Sequence, residues 1–156
     1  MDIPLVPLFK AVSKIKQKVE QMTNQEMFDK IVTHARKQRC KAFLPSGPND
    51  TTFMINISGC AYRADLTPEC PTRCFLGALI PDELYSKDIE GYGLPDNILS
   101  RSSSGKLPDI MDAIGVKVES YPFLIELQTV HDTVDIEEWE SKFAALAYKY
   151  YLTYTN

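Results

Sequence analysis

The stretch Asp135-Ile136-Glu137-Glu138-Trp139-Glu140-Ser141-Lys142-Phe143-Ala144-Ala145-Leu146-Ala147-Tyr148-Lys149-Tyr150 decides the fold class. Its apolar residues Ile136, Trp139, Phe143, Leu146 and Tyr150 recur at three, four, three and four. That is the period of one helix face packed on a core. Asp135 stands where an N-cap belongs. Just upstream, Ser120 can cap a second helix with Pro122 in its first turn. Phe123, Leu124, Leu127 and His131 then share one face. Two consecutive amphipathic helices at the C-terminal end make the domain mainly helical.

Upstream, Leu107 to Ile114 reads as a short helix, with Pro108 near its start and Gly115 at its C-terminal end. Thr23-Asn24-Gln25-Glu26 fits a capping box, followed by the apolar face Met27, Phe28, Ile31, Val32 and Ala35. Residues 8 to 22 place Leu8, Val12, Ile15, Val19 and Met22 at helical spacing, with four lysines off that stripe. Cys74 to Ile80 reads as a short buried helix stopped by Pro81, with Gly77 allowing a close backbone approach. The β signal is smaller: Thr52 to Ile57 reads as a strand that Ala42 to Leu44 could pair with, and Ala61 to Arg63 reads as another short strand. The expectation is an α+β chain, mainly α: a compact helical domain with a small antiparallel β element near residues 42 to 63. Residues 1–22 form a basic amphipathic arm, and residues 23–156 one globular domain.

A length of 156 residues with 44% apolar content suits a single core. Acids exceed bases by 21 to 17, a net charge of −4. That balance speaks against a general nucleic-acid role, which needs a basic footprint. No apolar run approaches the roughly 18–20 residues of a membrane helix. Asp2, Pro4 and Pro7 spoil any secretory signal. The expected setting is therefore intracellular. Charge is unevenly spread. Lys30 to Phe43 holds five Lys or Arg and no acid, while Glu119 to Ser141 holds seven acids and no Lys or Arg.

Chemistry has few places to sit. Four cysteines, Cys40, Cys60, Cys70 and Cys74, read in an intracellular setting as thiols or metal ligands before disulfides. Zinc would draw on Cys60, Cys70, Cys74 and His131, although only Cys70 and Cys74 form a tight pair. A cysteine nucleophile, Cys74 or Cys60, could be served by His131. Asp132 follows His131 directly, and successive helical side chains point about 100° apart. Asp132 is therefore expected not to orient that imidazole, leaving Asp65, Asp82 or Glu83. His34, beside Arg36 and Lys37, reads as a surface residue. Tyr62 and Arg63 lie between cysteines. Arg63 could clamp a carboxylate or phosphate, or form a structural pair with Asp82 or Glu83. No G-x-S-x-G, Walker, H-E-x-x-H or G-x-G-x-x-G pattern is present.

Three segments together carry a resemblance: Cys60-Ala61-Tyr62-Arg63, then Cys74-Phe75-Leu76-Gly77-Ala78-Leu79-Ile80-Pro81-Asp82-Glu83-Leu84-Tyr85, then Leu127-Gln128-Thr129-Val130-His131-Asp132. The chain resembles a group of small bacteriophage and prophage proteins with the pattern C-x-Y-R, C-x-x-G-x-L-I-P-D-E-x-Y and L-Q-x-x-H-D, over roughly residues 23 to 150. Cys40 and Cys70 fall outside that pattern. The resemblance implies a phage accessory protein in a bacterial cytoplasm and supplies no activity. The leading expectation is a non-enzymatic inhibitor or binding protein. It would engage a host defence protein or sequester a small anionic ligand, using Arg63, Tyr62, Asp82 and His131. It needs no cofactor and could form a homo-oligomer. The alternatives are a small enzyme dependent on cysteine and histidine or on zinc, and a structural virion component.

Overall fold

The computed structural model describes residues 19–42, 61–67, 70–96 and 103–156. Helices dominate them: α1 (Asn24–Gln38), α2 (Leu107–Ala113), α3 (Tyr121–Thr133) and α4 (Trp139–Lys149). Among the described residues no helix is long and apolar enough to cross a membrane.

The capping box forms as the sequence predicts. Thr23 Oγ1 accepts the Glu26 N–H at 3.2 Å, and Glu26 Oε2 accepts the Thr23 N–H at 2.8 Å. Two orphan donors of α1 are thereby satisfied. The buried face of α1 is the expected Met27, Phe28, Ile31, Val32 and Ala35. Ser120 stands at the start of α3 but makes no side-chain cap. Its hydroxyl donates to Asn24 Oδ1 at 2.7 Å instead, tying the starts of α1 and α3 together. Asp135 likewise makes no side-chain cap, and a 3₁₀ turn over Ile136–Glu138 leads into α4.

Aromatic side chains join the helices. Phe28 of α1 meets Phe123 of α3 and Phe143 of α4, with ring centroids 6.4 and 6.2 Å apart. Phe75, from the segment before the Gly77–Leu79 3₁₀ turn, meets Trp139 at 4.9 Å and Phe143 at 5.7 Å. Such pairs add roughly 0.5–1.5 kcal/mol each beyond the area they bury. The stripe read from Ile136 to Tyr150 is thus the seam that closes the core over residues 74–80.

Several expectations change. The amphipathic arm falls mostly outside the described residues. Its last residues, 19–22, are not helical. There the Met22 N–H donates to the Gly115 carbonyl at 2.8 Å, a tertiary bond in place of a helical one. Gly115 has φ +84°, and a Cβ on it would collide with the Glu20 carbonyl. Only glycine serves there on both counts. The strand expected at residues 52 to 57 lies outside the described residues. Ala61 to Arg63 is not a strand; it is a bend whose amides are taken by other partners. The pairing the structure describes comes later, where β1 (Ala64–Thr67) runs antiparallel to β2 (Cys70–Thr72). Its register slips between Asp65 and Thr67, and the Thr72 hydroxyl donates to the Ala64 carbonyl at 2.7 Å.

Candidate functional site

The segments that carry the sequence pattern meet in space, and backbone hydrogen bonds fasten them. The Ala61 N–H donates to the Ala42 carbonyl at 2.9 Å, and the Cys74 N–H to the Ala61 carbonyl at 3.1 Å. α3 locks onto this ladder from the side. The Ala42 N–H donates to His131 Nε2 at 3.1 Å, and the Leu76 N–H to Gln128 Oε1 at 3.1 Å.

His131 is fully buried, between Phe75 and Trp139. Because Nε2 accepts, the ring proton sits on Nδ1. It is donated to Asp132 Oδ1, 2.7 Å away. The Gln128 amide donates to the same oxygen at 2.9 Å. Asp132 therefore does orient His131, against expectation. The 100° offset fixes where a side chain leaves the helix, but the carboxylate can swing back along the turn to reach the ring edge. With Nε2 occupied and Nδ1 donating, this histidine offers no lone pair to a thiol or a metal.

Cys74 is buried, and its sulfur accepts the Gly77 N–H at 3.4 Å. Cys60 lies outside the described residues, and Cys70 opens β2. Among the described residues no group of three His, Cys, Asp or Glu side chains is placed to hold a metal ion. His34 is half-buried rather than a surface residue, because its Nε2 donates to the Arg73 carbonyl at 2.9 Å. Burial, ahead of the neighbouring cations Arg73 and Lys37, lowers its pKa from the usual histidine value.

A second cluster joins the buried Tyr62 and the largely buried Arg63 to the exposed Asp82. Glu90, which the sequence did not single out, organises it. One carboxylate oxygen takes the Tyr62 N–H at 3.1 Å. The other takes the Arg63 N–H at 3.1 Å and the Tyr85 hydroxyl at 2.8 Å. The buried Tyr62 hydroxyl donates to the Tyr92 carbonyl. Gly77 lies against the Tyr62 backbone so closely that a Cβ would overlap the Tyr62 carbonyl oxygen. Residues 62–63 are thereby held on all sides, and the Arg63 side chain leaves from a rigid base.

The Arg63 guanidinium lies over the Tyr85 ring, 4.4 Å from its centroid. Its Nη2 donates to the Ile80 carbonyl at 3.1 Å and pairs with Asp82 Oδ1 at 2.7 Å. Its Nε is buried with no hydrogen-bond partner. Arg73, which the sequence also left aside, sends its own Nη2 to the same Asp82 oxygen at 2.9 Å. Its backbone is held by a reciprocal pair from Gln38: the Arg73 N–H to Oε1 and Nε2 to the Arg73 carbonyl, both at 2.9 Å. Two guanidinium groups on fixed backbones thus converge on one carboxylate oxygen. Asp82 itself is 74% exposed. An ion pair with so exposed a partner contributes little to stability, on the order of 0–1 kcal/mol. No local signal marked Glu90 or Gln38, which act across 27 and 35 residues, and Arg73 reaches Asp82 across nine, beyond any helical or strand period.

A separate groove of about 420 Å³ runs between α1 and the C-terminal residues, floored by Phe28 and Val32. Arg36 walls it, already held by Glu140 at 2.7 and 3.0 Å and by the Thr155 carbonyl at 2.7 Å. The groove does not include the Arg63 cluster. Comparison with protein-family models, with curated proteins and with solved structures finds no match to this chain.

Proposed function

We propose that this chain is a phage accessory protein that acts by binding in a bacterial cytoplasm. It engages an anionic group, carried by a host protein or by a small ligand, through Arg63 and Arg73. The observation that carries the reading is the convergence of both guanidinium groups on the exposed Asp82 carboxylate. Arginine forks suit carboxylate and phosphate. A guanidinium stacked on Tyr85 and anchored to Ile80 is ordered before any ligand arrives, which lowers the cost of binding. Asp82 marks where an incoming anion would sit. The small antiparallel β element of the α+β reading belongs to the same proposal. The short Ala64–Thr67 and Cys70–Thr72 pairing supports it, because Arg63, just before β1, and Arg73, just after β2, come to the same end of the strand pair.

The test is thermal unfolding of the native protein and of Arg73→Ala with a panel of mono- and polyvalent anions. Polyvalent anions should raise the native midpoint and leave that of the variant unmoved. An identical response in both proteins removes Arg73, and with it the proposal.

A further inference from the structure

We infer that the Arg63–Arg73 pair is a phosphate-monoester site, and that Asp82 is its resident competitor. The inference rests on the anion-binding reading above and names the ligand class. Asp82 places a carboxylate oxygen 2.7 Å from Arg63 Nη2 and 2.9 Å from Arg73 Nη2. It is tethered to the site, so a free ligand competes with an effective concentration on the order of millimolar. A second carboxylate would exchange like for like and gain nothing. A ligand that wins must offer more charge and more acceptor atoms. A phosphate monoester carries about −1.5 to −2 at neutral pH and three strong acceptor oxygens.

The site has donors to match. Each guanidinium has five N–H groups. The described hydrogen bonds of the Arg63 guanidinium leave from Nη2, and its buried Nε has no partner. Arg73 likewise meets Asp82 through Nη2. Glu90, a second carboxylate at the cluster, is turned to the Tyr62 and Arg63 amides and the Tyr85 hydroxyl. Asp82 is the displaceable anion because it stands largely in solvent on the turn after Pro81. A phosphate group entering there replaces one oxygen shared by two guanidiniums with three oxygens, and lets Asp82 swing out.

The experiment is a calorimetric titration of the full chain with inorganic phosphate, ribose 5-phosphate, a phosphoserine peptide and succinate. The proteins are the native chain, Asp82→Asn and Arg73→Ala, each checked for folding by circular dichroism. The phosphates should bind the native protein and succinate should not. Asp82→Asn should bind phosphate about tenfold more tightly, as expected when a competitor holding the site nine-tenths of the time is removed. Arg73→Ala should lose binding. Ribose 5-phosphate matching or exceeding the phosphoserine peptide assigns the monoester to a small molecule, and the reverse assigns it to a modified protein. Succinate binding as well as phosphate overturns the ligand class and leaves the anion site standing. No binding by any probe, even to Asp82→Asn, overturns both.

Discussion

His131 of α3 accepts the backbone N–H of Ala42 through Nε2 at 3.1 Å, across 89 residues of sequence. This bond ties the chain four residues past the end of α1 to α3 inside the core. Its loss would leave a buried amide unpaired, at a cost of about 1–3 kcal/mol. Packing against Phe75 and Trp139 would be lost as well. His131→Ala should therefore destabilise the protein by about 3 kcal/mol or more. His131→Gln, which can offer an amide oxygen to Ala42, should recover part of that. Urea unfolding with an unchanged slope checks both. Equal stability of His131→Ala and the native chain would remove the structural role.

Gly77 gives a second prediction. A methyl group there meets the Tyr62 carbonyl, which is backbone and cannot step aside cheaply. Gly77→Ala should cost about 1–3 kcal/mol, as overpacking does. Because Tyr62 adjoins Arg63, the same change should weaken anion binding at the Arg63–Arg73 pair in the protein that still folds. A stable variant with native anion binding would show that the two backbones separate freely.

Cys74 is buried and its sulfur accepts a backbone N–H. Its alkylation in native buffer should be slow and should follow global opening of the fold. Labelling followed by peptide mass mapping reads it directly. Fast modification at neutral pH, before unfolding, would revive the cysteine-enzyme reading.

Two side-chain clusters predict opposite pH limits. The hydrogen bond from Arg36 holds the Glu140 carboxyl below its usual value of 4.5, against the opposing pull of burial. A depressed carboxyl stabilises the fold above its unfolded pKa. That contribution is lost as the pH falls below about 4.5 towards the lower folded value. Tyr150 runs the other way. Burial first, and then the Glu126 carboxylate, push its phenol from 10.0 up to about 12. Its contribution is complete below pH 10 and fades between 10 and about 12. Phenolate absorbance should show Tyr150 titrating towards 12, and Glu126→Gln should bring it down. Arg36→Leu should flatten the acid limb of a stability–pH curve.

Local chemistry and periodicity carry a definite part of this fold. The stripe from Ile136 to Tyr150, the face Phe123, Leu124, Leu127 and His131, and the Thr23–Glu26 capping box depend only on neighbours within two turns. Each is found where the spacing puts it. The close approach at Gly77 was legible for a similar reason, since a glycine inside a tight apolar run has few other uses. Tertiary structure alone decided where His131 points, that Asp132 reaches it, and that Val19 to Met22 leave the helical path for Gly115. It alone brought Arg73, Glu90 and Gln38 to the Arg63 cluster. Apart from His131 to Asp132, adjacent in sequence, and Arg73 to Asp82, nine residues apart, the bonds that make these choices span roughly 27 to 93 residues. A buried polar group takes whichever partner the finished packing brings within reach, and a helical period carries no record of which partner that is.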